Sequence, residues 1–127
     1  MPKKYENKSN HNTDFLNSIN NDYPEEYFDW KVTVQFYSSL HRCYCVLKTK
    51  TFNIEQSHMS NIKNLKTINS ELSRKLYTLY KHSRQARYDG FISEGAMSRI
   101  NKINFQTGTR LMASIETECL KYYPVPV

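Results

Sequence analysis

The chain has 127 residues, of which 39% are hydrophobic, and a net charge of +6. That is the size of one domain with apolar surface for a single core, which excludes wholesale disorder, and ten Tyr against six Phe put amphipathic rings at its margins. No stretch approaches the ~20 apolar residues of a membrane span, and three cysteines without a signal peptide argue for reduced thiols in a cytoplasmic protein rather than a disulfide framework.

Taken in chain order, residues 1–12 (MPKKYENKSNHN) are polar and without pattern and read as a tail. Asn12 or Thr13 then caps a short helix carrying Phe15, Leu16 and Ile19, which ends at Asn20, Asn21 and Asp22. Pro24 opens the strongest helix, with Glu25 and Glu26 in the first turn where negative charge suits the dipole. Two adjacent helical rows, Trp30, Val34, Tyr37, His41, Tyr44 and Thr33, Phe36, Leu40, Cys43, Leu47, give a wide apolar face and predict a central helix running to about Thr49. Cys43 and Cys45 point in different directions on such a helix and lack a second pair, a poor zinc site.

A connection follows over residues 51–56, and Ser57 caps the next helix. Asn69 and Ser70 mark a break. Helical spacing then resumes through Leu72, Leu76, Leu79, Ser83 and Ala86, with Gly90 as a C-terminal stop. Ser93 caps the last helix, with Glu94 in its first turn and a buried row of Ala96, Ile100, Ile103, Thr107, Leu111, Ser114 or Ile115, and Cys119. Gly108 permits close packing there, and Pro124 and Pro126 exclude helix from the final residues 124–127. The expected architecture is one all-α domain over residues 13–123, a four- to five-helix up-and-down bundle.

Charge is uneven along this framework. From Arg42 to Arg87 there are ten Lys/Arg and two Glu, whereas the remainder is slightly acidic. So basic a middle suits a polyanion such as RNA, though it also suits plain solubility. Four groups are candidates for chemistry. His41 falls on an apolar row, where a histidine is either a hydrogen-bonded core residue or a proton carrier. His58 begins a helix, a position that favours neutral imidazole. Arg84 and Arg87 share a helix face, three residues apart, and would be satisfied by a phosphate between them or by solvent at a helix end. Tyr37 and Tyr88 could stack a base or donate to a phosphate, or simply pack. His82 lies beside the apolar row of its helix, a boundary residue that could touch RNA. A metal site from His41, His58 and His82 lacks a suitably spaced carboxylate or thiolate, and no cofactor motif is present.

The strings DWKVTVQFYSSLHRCYCVL, SHMSNIKNL and LYTLYKHSRQARYDG, spanning residues 28–90, resemble small bacterial and archaeal HEPN-type proteins. The resemblance implies a helical bundle, often dimeric, and an RNA-directed activity of toxin–antitoxin or phage-defence type. In many such domains two subunits cleave RNA without metal, using an Arg followed four to six residues later by a His. Here no Arg has that relation to a His: Arg74 and His82 are separated by seven residues, and His82 precedes Arg84 and Arg87. A site would have to be assembled from His41, His58, Arg84 or Arg87, with Tyr37 or Tyr88 and His82 on the substrate side. Two expectations stand together: a metal-independent endoribonuclease, and a non-catalytic dimerising or RNA-binding module with a possible partner protein.

Overall fold

The computed structural model describes residues 3–87 and 100–123. Five helices are present among them: α1 (Lys3–Asp22), α2 (Phe28–Thr49), α3 (His58–Ile68), α4 (Ser70–Arg87) and α5 (Lys102–Cys119). No strand occurs among the described residues, so the all-α bundle expected from helical periodicity is the fold. No helix among them is long and apolar enough to cross a membrane. The expected stop at Gly90, the cap Ser93 with Glu94, Ala96, and residues 124–127 lie outside the described residues.

Helix α2 is the axis and contacts every other helix. Its row Thr33, Phe36, Leu40, Cys43 and Leu47 is buried throughout, as its spacing predicts. The second row is not uniformly buried. Trp30 is 60% exposed, Tyr44 is buried, and Val34, Tyr37 and His41 are half-buried. Instead, Lys31, Val32, Gln35, Ser38, Ser39, Arg42, Cys45 and Val46 are buried too, so most of the circumference faces protein.

Polar packing accounts for this. Residues 3–12, expected to be a tail, are the first half of α1, which lies along α2 through hydroxyls rather than an apolar stripe. The Ser9 hydroxyl donates to the Ser38 carbonyl at 2.8 Å, Ser38 Oγ donates to the Ser9 carbonyl at 3.1 Å, and Thr13 Oγ1 lies 2.6 Å from Ser38 Oγ. Arg42 donates to Asn10 Oδ1 at 3.0 Å and to the Tyr123 hydroxyl at 3.3 Å, tying both ends of the described chain to α2. Every buried donor met this way avoids the cost of an unpaired polar group, about 1–3 kcal/mol each.

The turn before α2 also differs from expectation. Pro24, Glu25 and Glu26 lie in a turn, and α2 starts only at Phe28, after Tyr27 in the left-handed region (φ 61°, ψ 35°). The fully buried Lys31 reaches back to donate to the Tyr23 carbonyl and lies over the rings of Phe28 and Phe105. At its far end α2 closes in a Schellman motif: Thr51, also left-handed (φ 65°), donates to Lys48 O, and Phe52 donates to Leu47 O.

The α3–α4 break falls at Asn69, as expected. Its side chain accepts from Leu72 N at 3.0 Å and donates to the Tyr122 hydroxyl at 3.1 Å. Leu72, Leu76, Leu79 and Ser83 form the buried row of α4.

Helix α5 begins with a capping box from Asn101 and turns Gly108, Ile115 and Cys119 inward. Ile103, expected in the buried row, is instead 69% exposed. The phase is set by Gly108, which meets Gln35 so closely that an added Cβ would stand 2.0 Å from Gln35 Oε1. Gln35 is fixed there by donating to Phe105 O and Thr109 Oγ1, both at 3.1 Å.

Gly108→Ala is therefore expected to destabilise the protein. Helix propensity favours Ala by about 1 kcal/mol; against it stand about 1–3 kcal/mol of overpacking and two strained hydrogen bonds, which outweigh the gain. Chemical denaturation checks this. Gln35→Ala should restore most of the loss in the Gly108→Ala background, and a Gly108→Ala variant more stable than wild type would contradict the packing argument.

Candidate functional site

The end of α4 turns toward the start of α3 across the middle of α2. Ser57, in extended backbone, caps α3 by accepting from Ser60 N at 3.4 Å, so His58 occupies the first helical position. Asn61 fixes the approach to it: its side chain exchanges hydrogen bonds with the backbone of Glu55 at 2.8 and 3.0 Å and donates to the Tyr44 hydroxyl at 3.1 Å.

His58 then lies edge-on to three aromatic rings, Phe36, Tyr37 and Tyr80, at centroid distances of 5.5, 5.9 and 6.2 Å. Its Nδ1 is buried with no hydrogen-bond partner among the described residues. Arg87 reaches the same group from α4. Its Nη1 donates to the Tyr37 hydroxyl at 2.9 Å, and its guanidinium carbon lies 5.5 Å from the Tyr37 ring centre. Nε and Nη2 of Arg87 hold to the carbonyl and hydroxyl of Ser83 one turn back, which orients the fork. Burial first, then the charge of Arg87, pushes the His58 pKa below the ordinary histidine range. The result is a neutral imidazole, a phenol and a guanidinium from α3, α2 and α4.

The other expected site residues stand at different distances from this trio. Arg84 attaches to its edge: Nη1 donates to the Tyr80 hydroxyl at 3.2 Å, and the guanidinium lies over the Tyr80 ring. Arg84 and Arg87 thus serve neighbouring tyrosines. His41, one turn along α2 from Tyr37, faces elsewhere. It stacks on Tyr5 at 6.5 Å, meets Tyr44 edge-on at 5.7 Å, and has Asn12 Nδ2 3.4 Å from its Nδ1. It opens on a depression of about 500 Å³ shared with Asn7, Lys8, His11 and Asn12. Among the described residues no hydrogen bond or ring contact links His41 to His58 or Arg87. Among the described residues the Nδ1 of His82 is buried without a hydrogen-bond partner, and no hydrogen bond or ring contact joins His82 to the trio. Tyr88 lies outside the described residues. Sequence reasoning missed Tyr80, whose signal is its position four residues before Arg84, one helical turn away.

Burial lowers the pKa of all three buried or half-buried histidines: His41 by desolvation and then Lys8, His58 as above, and His82 by desolvation and then Lys81. Below the ordinary value of 6.5 the unfolded chain takes up protons that the folded chain resists. Stability is then complete above about pH 6.5 and is lost as pH falls through the lowered folded values. The melting temperature should fall between pH 7.5 and pH 5.5, before the carboxylates titrate, and the fall should shrink in His82→Phe. A melting temperature flat or rising over that interval would remove burial as the cause.

The cysteines Cys43, Cys45 and Cys119 are buried and unbridged, with 3.9 Å between the sulfurs of Cys43 and Cys119. Burial pushes the Cys45 thiol up to about 11 and the Cys43 thiol well above its usual value. They are core residues rather than nucleophiles. The chain matches no family model, and no curated protein or solved structure matches it significantly.

Proposed function

We propose that this protein is a HEPN-like, RNA-directed domain of the cytoplasm, of toxin or phage-defence type, whose site is built on Tyr37, His58 and Arg87. The carrying observation is the convergence of a neutral imidazole, a guanidinium and a phenol from three helices. The basic stretch from Arg42 to Arg87, which contains the whole trio except Tyr37, supports a polyanionic substrate. In metal-independent cleavage the ribose 2′-OH attacks the adjacent phosphorus in line, a neutral histidine accepts its proton, and a guanidinium stabilises charge on the phosphorane. His58 and Arg87 suit those two roles, with Arg84 and Tyr80 flanking the RNA. A homodimer would supply a second copy of the same group.

The second reading is a non-catalytic interaction or RNA-binding module. It is favoured by the hydrogen bond from Arg87 to Tyr37, which fastens α4 to α2, and by those to Ser83 within α4, which hold the guanidinium in place for it; together they would serve stability alone. One experiment separates the two. Purified protein is incubated with a mixed pool of end-labelled RNA in EDTA, beside His58→Ala, His41→Ala and Arg87→Ala, with a melting curve on each. Cleavage lost in His58→Ala and Arg87→Ala at preserved helicity supports the nuclease. Salt-sensitive binding without cleavage supports an accessory module, and variants that only melt earlier support the structural latch.

A further inference from the structure

Four of the large hydrophobic residues exposed among the described residues sit together at the α1–α2 turn. Phe15, Tyr23, Tyr27 and Trp30 are 53, 46, 45 and 60% exposed, and with Ile19 they line one open depression of about 370 Å³. Contiguous exposed rings of this kind mark binding surfaces rather than random surface composition.

The charges that this stretch of chain carries at its surface are acidic. Residues 9–30 contain five acidic residues, Asp14, Asp22, Glu25, Glu26 and Asp29, and no Lys or Arg. Lys31, next in the chain, is fully buried beneath the turn. Lys102 is paired with Glu25 at 2.8 Å. Asp14, Asp22, Glu26 and Asp29 make no ion pair among the described residues.

The ledge is also held in shape. Tyr27 keeps left-handed backbone, which a bulky residue adopts only when its surroundings enforce it. Lys31 grips the Tyr23 carbonyl from below, and the Tyr23 and Tyr27 rings meet edge-on at 5.1 Å. Rings fixed this way bind without a large ordering cost.

Electron-rich ring faces among carboxylates attract Arg and Lys side chains, through cation–π contact and charge together. The same carboxylates repel a phosphate backbone, so RNA does not fit here. We infer that the α1–α2 ledge docks a cationic amphipathic segment of a partner protein, with basic side chains over Tyr23, Tyr27 and Trp30 and apolar ones in the depression between them. The ledge begins two turns of α2 before Tyr37 and shares no residue with the Tyr37–His58–Arg87 group.

Trp30 is the single tryptophan of the chain and reports directly on the ledge. The probe is a synthetic amphipathic helix of Leu, Lys and Arg, beside a counterpart with Glu replacing every basic residue. The cationic peptide should shift Trp30 emission to shorter wavelength, saturably and more weakly at high salt, while the acidic one leaves it unchanged. By calorimetry, Trp30→Ala should weaken binding roughly thirtyfold, as expected for a central aromatic anchor. Glu26→Gln with Asp29→Asn should weaken it at least about threefold. All these residues lie at the surface or its margin, and circular dichroism verifies the fold of each variant. Equal binding of both peptides, no binding, or unchanged affinity in the variants would overturn the inference. A blue shift that grows with protein concentration alone would also overturn it, by assigning the ledge to a second copy of the chain.

Discussion

Phe36→Ala should lower stability by about 3–5 kcal/mol, the range for removing a large aromatic side chain from a core. Phe36 is fully buried in the central helix, and its ring touches Tyr37, His58 and Tyr80 at 5.1, 5.5 and 5.4 Å. It is therefore the floor on which the polar trio stands. A domain of ordinary stability has about 5–15 kcal/mol to lose, so the variant should remain folded but melt about 10–25 °C lower. The site should loosen with it, because Tyr37 and Tyr80, the two other rings around His58, lose their common support. Phe36→Leu fills part of the space and should fall between wild type and Phe36→Ala. A Phe36→Ala protein melting within a few degrees of wild type would mean that the cluster is not packed as described.

The parts of the fold visible in the sequence are those whose packing is apolar. Leu72, Leu76 and Leu79 repeat at helical spacing and face inward, and the row from Thr33 to Leu47 does the same. The first half of α1 is invisible to hydropathy because Ser9 and Asn10 pack on Ser38 and Arg42 through hydrogen bonds. Hydropathy carries no trace of such a seam. Lys31 and Gln35 look like solvent-facing residues, yet each is buried by a partner distant in sequence, Lys31 by Phe105 and Gln35 by Gly108. The same contact rotates α5 and exposes Ile103, which periodicity alone places inside.

The candidate site was partly legible for the same reason. Helix position together with the family resemblance points to His58 and Arg87, but neither specifies which tyrosine each arginine meets. Arg84 and Arg87 do not converge on one gap: one takes Tyr80 and the other crosses to Tyr37 on α2. His41 falls on the same helical row as Tyr37. One turn of α2 suffices to direct it to Tyr5 and Tyr44 instead.

Substitutions at Arg87 separate its two available roles. A charge-assisted hydrogen bond to phosphate contributes about 1.5–3 kcal/mol, so under the proposed RNA-directed function Arg87→Ala should weaken RNA binding about 10- to 100-fold and reduce the salt slope of log K by about one. If Arg87 stabilises the phosphorane, cleavage should fall further, about 100- to 1,000-fold. Arg87→Lys keeps the charge but loses the planar fork that spans Tyr37 and Ser83. It should retain most of the salt slope while cleavage stays near the Ala level, because the position of the charge, not its presence, is lost. Tyr37→Phe removes only the acceptor at 2.9 Å. It leaves both charge and fork, so its cleavage should lie between wild type and Arg87→Lys. A structural latch gives the opposite ordering of effects: Arg87→Ala, Arg87→Lys and Tyr37→Phe would each lower the melting temperature, and RNA affinity and salt slope would not move.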